Sequence, residues 1–352
     1  MSDKIKDRSS SILIGLAIGE ALSWSSMYSR SQSLPKWLNR IRAEIDSDKY
    51  RYNVTSSPVP FTLNQSIKPL LPVPSEITEW STWTALLLIE NKGELTEPVL
   101  LKAWQELAEH HENIHGRISV QAALRNIRKG LGYPQCGRFN PHYFDDAALF
   151  RAAMIGAVYA GNSLKSTEIA ELDAAFTQYE DGIYCARAIA KAISYACCGS
   201  SVSDIISGTI DELPEGSLSR RIVKKALDCT REMNDVLEIV VYLSREICNL
   251  EYSYGNIAHE ILACVLSIIN KTKGNFDQSV SMAALVAKPG ACLMAICTAL
   301  ASAIDDYGWR QKIWIDSKFS KLNGAFIPSM KDVDIRDIAM KIGDLSTNLT
   351  VK

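Results

Sequence analysis

The chain has 352 residues, a formal net charge of −2 at pH 7, and a charged fraction of 22% beside a hydrophobic fraction of 47%. This composition is ordinary for a packed globular protein and argues against nucleic acid or an anionic membrane as a partner. The nine cysteines form no CxxC pair and no zinc-like spacing with histidine, so we expect buried free thiols and a cytoplasmic protein.

Segment 11–24 is the first apolar stretch along the chain. Glu20 interrupts it and no small-residue cleavage site follows, so we predict neither a signal peptide nor a membrane span. Five prolines crowd segment 50–74. This predicts a long irregular loop that acts as a lid or as an interaction surface.

Helical periodicity dominates the remainder. Apolar residues recur at i, i+3, i+4 and i+7, and no convincing apolar–polar alternation predicts a strand. We therefore predict an all-α fold, a compact single domain of many helices over 1–352, with a looser tail at 332–352. The predicted helices cover 82–90, 99–110, 118–131, 147–160, 185–196, 221–233, 236–250, 258–269 and 293–304.

Several segments resemble a known family in their order along the chain. Segment 15–23 reads GLAIGEALS and resembles G-x-x-x-G-D-A-L-G, the opening helix of ADP-ribosylglycohydrolases. Further on, PSEITEW at 74–80 stands where that family carries T-D-D-T, and FDDAALFRAAMIG at 144–156 resembles its G-x-a-a-M-R-x-x-P-l-G. The other similar segments are TQYEDG at 177–182, SYGNIA at 253–258, and 286–308, which stands where the family has G-G-D-T-D-T and the helix after it.

The resemblance implies an all-α fold that binds ADP-ribose and hydrolyses a glycosidic bond. In the family, two magnesium ions lie between the N-terminal acidic motifs and the C-terminal D-T-D-T motif. They position the ribose hydroxyls and the attacking water. Magnesium needs oxygen ligands in near-octahedral geometry, so the carboxylates of these motifs are required for the usual chemistry.

The metal-binding residues of these motifs are largely replaced in this chain. Glu20 stands for the first aspartate, and the T-D-D-T segment retains one acid at Glu76 and adds another at Glu79. The C-terminal motif becomes AKPGAC at 287–292, which has no carboxylate and gains Lys288. The resemblance therefore implies at most one magnesium ion, held by Glu20, Glu76 and Glu79, and not the usual two-magnesium mechanism.

Structural interpretations compete with these functional ones. Glu76 and Glu79 are either a functional pair on one helical face or acids favoured by the dipole of a helix start. Lys288 is either a solvated or helix-starting lysine, an ammonium that replaces a metal ion beside Glu20, Glu76 or Glu79, or a catalytic lysine. Asp145 is either a ligand contact or an N-cap.

The residues expected to form the site fall into two sets. The first would act as general base and electrostatic stabilisers and consists of Glu20, Glu76, Glu79, Asp145 and Asp146. The second would contact the ligand and consists of Trp24, Trp80, His142, Tyr143, Phe144, Arg151, Glu180, Asp181, Tyr254 and Lys288. For some of these a structural role is the alternative: an Arg–Asp pair for Arg151, helix capping for Glu180 and Asp181, and a loop or core position for His142.

Three functional hypotheses stay open at this stage. The first is a divergent hydrolase that cleaves a glycosidic bond of an ADP-ribose or nucleoside-derived substrate with a reduced metal site. The second is an inactive relative that binds ADP-ribose, an ADP-ribosylated protein or a partner protein as a regulator. The third, a purely structural role, has no specific sequence feature behind it.

Overall fold

The computed structural model describes residues 2–23, 50–51, 53, 75–248, 256–286, 288–305 and 320–350, and throughout these ranges helices make up the regular structure. The predicted all-α class is confirmed. The helices are α1 (Ser2–Leu22), α2 (Glu76–Glu90), α3 (Glu97–Glu109), α4 (Ile118–Arg128), α5 (Gln135–Arg138), α6 (Ala147–Val158), α7 (Ser163–Ala174), α8 (Asp181–Cys198), α9 (Val202–Glu212), α10 (Leu218–Thr230), α11 (Val236–Tyr242), α12 (Ala258–Thr272), α13 (Phe276–Leu285), α14 (Gly290–Ile304) and α15 (Ile335–Thr350).

Helices α1, α6 and α14 form the centre of the molecule. Residues 11–21 of α1, every residue of α6 and nearly all of α14 are buried, as is typical of helices surrounded by other helices. Two glycines allow α1 and α14 to approach closely. A Cβ at Gly19 would lie 2.4 Å from the Met294 carbonyl oxygen, and one at Gly15 would lie 2.7 Å from Ala299 Cα.

The other helices enclose this centre. Helix α8 packs against α6, α7 and α9, and α12 packs against α10 and α14. Helix α15 packs along α1, where Ser9 Oγ donates a hydrogen bond of 3.0 Å to Ser346 Oγ. The looser tail expected at 332–352 is therefore a helix over most of its length, because an apolar stripe that includes Ile338 and Ile342 is buried.

Each predicted helix overlaps an observed one, but the boundaries and the number of helices differ. Helix α11 ends at Tyr242 and passes into a π-helical turn over Leu243–Ile247. Helix α7 was not predicted, because its sequence has almost no apolar periodicity; the side chain of Asn162 caps it by accepting the Lys165 N–H. Segment 50–74 lies outside the described residues except at 50–51 and 53. Among the described helices none is both long and apolar enough to cross a membrane.

Candidate functional site

Side chains from the first turns of several helices meet at one end of the bundle. Helices α2, α4, α6 and α14 begin there. A single antiparallel bridge pairs Asp145, just before α6, with Ile257, just before α12. The Ala258 N–H also donates to the Phe144 carbonyl oxygen at 3.0 Å, which holds the start of α12 beside the loop that leads into α6.

Arg117, immediately before α4, lies at the centre of this region. Its Nε donates to Asp146 Oδ1 at 2.6 Å and its Nη2 to Asp146 Oδ2 at 3.1 Å, a bidentate pair. Its Nη1 donates to Glu76 Oε2. One guanidinium therefore joins the carboxylates of α2 and α6, and its side chain is only 11% exposed. Sequence reasoning did not find Arg117, since no matched motif contains it.

Glu76 has a carboxyl group whose pKa is strongly raised by its surroundings. Burial raises the pKa of its carboxyl to about 7, Arg117 opposes that rise, and Asp146 adds to it. Its second oxygen, Oε1, is buried and has no hydrogen-bond partner among the described residues. The pKa of Glu76 therefore lies near neutral pH.

Glu20, the predicted counterpart of the first metal-binding aspartate, caps helix α2. Its Oε1 accepts hydrogen bonds from Ser75 Oγ at 2.7 Å and from the Ile77 N–H at 2.8 Å. Its Oε2 accepts from the Ser75 N–H at 2.9 Å, the Thr78 N–H at 3.0 Å and Thr78 Oγ1 at 2.7 Å. These five donors engage both oxygens, and the negative charge lies at the positive end of the helix dipole.

Glu79 points to a different part of the molecule from Glu76. Its carboxylate is fully buried and accepts the N–H groups of Ala325 at 3.0 Å, Phe326 at 2.8 Å and Ile327 at 2.8 Å. The predicted pair on one helical face is therefore divided, because Glu76 meets Arg117 while Glu79 anchors the segment before α15. Glu79 has a structural role here.

Asp145 also has its oxygens engaged by the protein. They accept the Ser119 N–H at 3.1 Å, Ser119 Oγ at 2.6 Å, the Ala147 N–H at 3.1 Å and Gln178 Nε2 at 2.8 Å. Burial raises its pKa, Asp146 raises it further, and the hydrogen bonds lower it. The predicted N-cap at Asp145 is displaced by one residue, because α6 begins after Asp146 and Asp145 accepts the Ala147 N–H from the position before the N-cap. Gln178 was not among the predicted site residues, although it lies in segment 177–182, one of those that carry the family resemblance.

The C-terminal motif brings a thiol and an ammonium to this end of the bundle. The Cys292 side chain lies within hydrogen-bonding reach of Asp146, and burial together with that carboxylate raises the pKa of its thiol well above the ordinary range. Lys288 is buried, and its Nζ lies 3.8 Å from Glu260 Oε2. The cation that the structure places against Glu76 is Arg117.

A cluster of half-buried aromatic side chains lies in the loop before α6 and near the start of α8. The Tyr143 ring lies 5.4 Å from the Phe144 ring and 6.0 Å from the Tyr179 ring, both edge-on, and the His142 ring lies 6.2 Å from Phe144. We call Tyr143, Phe144 and Tyr179 the aromatic rim. Partly exposed rings of this kind can stack on a nucleobase.

Two predicted ligand contacts belong to the core instead. Trp80 is fully buried, stacks on Trp104 at 5.6 Å and donates its indole N–H to the His115 carbonyl oxygen at 3.0 Å. Arg151 is fully buried and donates to Asp173 Oδ2 at 2.8 Å, which matches the structural Arg–Asp alternative. Neither side chain is exposed, so the predicted ligand contacts at these two positions are wrong for this structure.

The remaining predicted contacts divide between helix starts and segments outside the described residues. Asp181 is the first residue of α8, and it accepts the Ser219 N–H at 2.7 Å, so it caps the start of α10 and not the helix that it opens. Glu180 is exposed with a positive φ of 44° just before α8. Trp24 and Tyr254 lie outside the described residues.

The arrangement of the acids decides whether they could bind magnesium. Among the described residues, no group of three or more His, Cys, Asp or Glu side chains is arranged to hold a metal ion. Glu20 and Glu79 use their oxygens on peptide N–H groups, and Arg117 occupies the space between Glu76 and Asp146. The described acids therefore fit neither the two-magnesium centre of the family nor the single ion predicted on Glu20, Glu76 and Glu79.

Comparison with known proteins places this chain in a family. No curated protein matches the sequence. The fold is similar to a solved structure described as an "ADP-ribosylglycohydrolase-related protein complex", with a TM-score of 0.55 and 15% identity over 98% of this chain and 99% of that chain. At that identity the likeness shows the fold alone. Because the ADP-ribosylglycohydrolase family model matches residues 1–326, the chain belongs to the ADP-ribosylglycohydrolase family.

Proposed function

We propose that this chain binds an ADP-ribose-like or other nucleoside-derived ligand without catalysing the two-magnesium hydrolysis of its family. It would act as a regulator that recognises free ADP-ribose, an ADP-ribosylated protein or a partner protein, and the cytoplasm is its expected compartment. The observation that carries the proposal is the Arg117 guanidinium paired with both Glu76 and Asp146. A buried cation between two carboxylates opposes a second cation at the same position.

The other acids support the same proposal. Glu20 is held by five protein donors and Glu79 by three. Freeing either carboxylate to bind magnesium would leave peptide N–H groups without partners inside the protein, at a cost of about 1–3 kcal/mol for each group. A metal-bound water is therefore a poor candidate for the nucleophile in this chain.

Ligand binding is proposed from family membership and from the aromatic rim. The rim offers ring faces for a base, and the helix starts around it offer N–H groups and positive dipole ends for a phosphate. Substitution of Tyr143 tests ligand binding most directly, because its ring contacts those of both Phe144 and Tyr179 and is half-buried.

A second candidate is hydrolysis without the two-metal centre, and one observation favours it. Glu76 has a pKa of about 7 and an oxygen without a hydrogen-bond partner among the described residues, so its carboxyl is suited to exchange a proton at neutral pH. Under this alternative Glu76 would be the general base for a water that attacks the anomeric carbon. Magnesium, if any, would then be a single ion.

Calorimetric titration with ADP-ribose, in EDTA and in magnesium, separates these functions. We expect equal affinity in both buffers and weaker binding by Tyr143→Ala than by Leu164→Ala, an exposed apolar control on α7. An assay of ADP-ribosyl-arginine and ADP-ribosyl-serine peptides accompanies it. Turnover in EDTA that is lost in Glu76→Gln would favour the second candidate. Affinity that requires magnesium, or no binding at all, would refute the first.

A further inference from the structure

We infer that Arg117 is the cation of this site and takes the place of a divalent ion between Glu76 and Asp146. Its removal should therefore create a divalent-cation site. The inference rests on the proposed function in one respect, namely that the wild-type site holds no such ion. It concerns this chain's own residues and predicts a property that the wild-type protein lacks.

The geometry is that of a bridging cation. Asp146 presents both oxygens to the guanidinium, at 2.6 Å and 3.1 Å, and Glu76 presents Oε2 from another helix. The guanidinium donates N–H groups to both acids, so one side chain pairs with two carboxyl groups that belong to α2 and α6.

The charges around Arg117 require a cation at this point. Four carboxyl groups act on one another here: Asp146, Glu20 and Asp145 each disfavour the ionised form of Glu76. Glu20 and Asp145 are stabilised by their own N–H and hydroxyl donors, which leaves Glu76 and Asp146 dependent on Arg117. Without it, two buried carboxylates must take up protons or find another cation.

The oxygens that removal of Arg117 would free are suited to a hard divalent ion. Asp146 would release two oxygens and Glu76 would release Oε2 beside Oε1, which already has no partner among the described residues. Truncation at Cβ removes the guanidinium and its stem, so space opens for an ion together with some of its water. Magnesium and manganese both accept two carboxylates with water in the other positions.

Arg151 provides a matched control. It is also a buried arginine paired with an aspartate, but the acid it meets is Asp173 alone, and its other donated bonds go to uncharged oxygens such as Thr177 Oγ1 at 2.9 Å. Arg151→Ala should destabilise the protein by loss of a buried ion pair. It should not create a divalent site, because a single carboxylate is a weak ligand set.

The test compares wild type, Arg117→Ala and Arg151→Ala at pH 8. For each protein, the melting temperature is measured, and manganese binding is followed by electron paramagnetic resonance. We expect both variants to melt below wild type. Only Arg117→Ala should recover with added manganese or magnesium, and it should bind manganese at least about tenfold more tightly than wild type. Equal recovery of both variants, or equal manganese affinity in wild type and Arg117→Ala, would overturn the inference.

A double variant keeps the test decisive if Arg117→Ala does not fold. Glu76→Gln/Arg117→Ala removes one of the two facing carboxylates, so it should be more soluble and more stable than Arg117→Ala and should show no recovery with manganese. A double variant no more stable than the single one would overturn the inference. No nucleotide is present in these measurements, so their outcome is independent of whether wild type binds ADP-ribose.

Discussion

The carboxylate of Glu20 on the first helix accepts both the backbone N–H and the hydroxyl of Thr78 on the second, at 3.0 Å and 2.7 Å. This contact spans 58 residues of sequence and orients α2 relative to α1. A residue that the family resemblance assigned to metal binding is therefore a helix cap in this chain. Because Glu20 caps α2, we expect its loss to lower the stability of the fold.

Glu20→Ala should lower the free energy of unfolding by about 2–4 kcal/mol, because it leaves three buried N–H groups at the start of α2 without acceptors. Chemical denaturation in EDTA measures the effect. Ser75→Ala, which removes one hydroxyl donor to the same carboxylate, should cost about 1 kcal/mol. A metal-ligand role would instead leave the stability in EDTA almost unchanged.

Glu79→Ala should release the segment around Phe326 from α2, because the carboxylate accepts three successive N–H groups there. Hydrogen exchange of the Ala325, Phe326 and Ile327 amides should become faster by at least about tenfold, since opening no longer breaks charge-assisted bonds. Glu90→Ala, at an exposed position of the same helix, is the control and should leave those amides protected. Unchanged exchange in Glu79→Ala would contradict the anchoring role.

The raised pKa of Glu76 predicts that the free energy of unfolding depends on pH. Its folded pKa of about 7 lies above the ordinary 4.5, so the folded state binds this proton more tightly than the unfolded state. Its contribution to stability is complete below pH 4.5 and is lost as the pH rises to about 7. The unfolding free energy of wild type should therefore fall with pH across that window relative to Glu76→Gln, measured by urea denaturation.

The control for this pH dependence is Glu109→Gln, at an exposed position near the end of α3. Its stability should change with pH in parallel with wild type. If Glu76→Gln also follows wild type across the window, then Glu76 titrates at its ordinary value and the proposed proton exchange at neutral pH has no basis.

Gly19→Ala should destabilise the central pair of helices. The new Cβ would lie 2.4 Å from the Met294 carbonyl oxygen and 2.6 Å from Ala295 Cα, both backbone atoms that cannot rotate away. Separation of α1 from α14 should cost about 1–3 kcal/mol or more, seen as a lower melting temperature. Gly132→Ala has no atom within 4 Å of its new Cβ and should melt like wild type. Equal melting of the two variants would refute the close approach.

The helical architecture was largely readable from the pattern of apolar residues. Segments such as 147–160 and 293–304 carry so many apolar and small residues that only a buried helix suits them, and α6 and α14 are buried throughout or nearly so. Helix α7 was missed because short-range capping by Asn162 and tertiary contacts with α8 decide its structure, and neither produces an apolar period. Helix α15 shows that a C-terminal tail can complete the core.

The sequence by itself determined the all-α class and the family. It did so because those properties depend on local pattern and on residue identity. Only the tertiary structure decided what each remaining acid does. The motifs present three similar acids whose roles differ. Glu20 caps a helix, Glu76 pairs with Arg117, and Glu79 anchors a distant segment. A carboxylate takes its role from the donors that folding brings to it, and those donors lie 41 to 248 positions away along the chain.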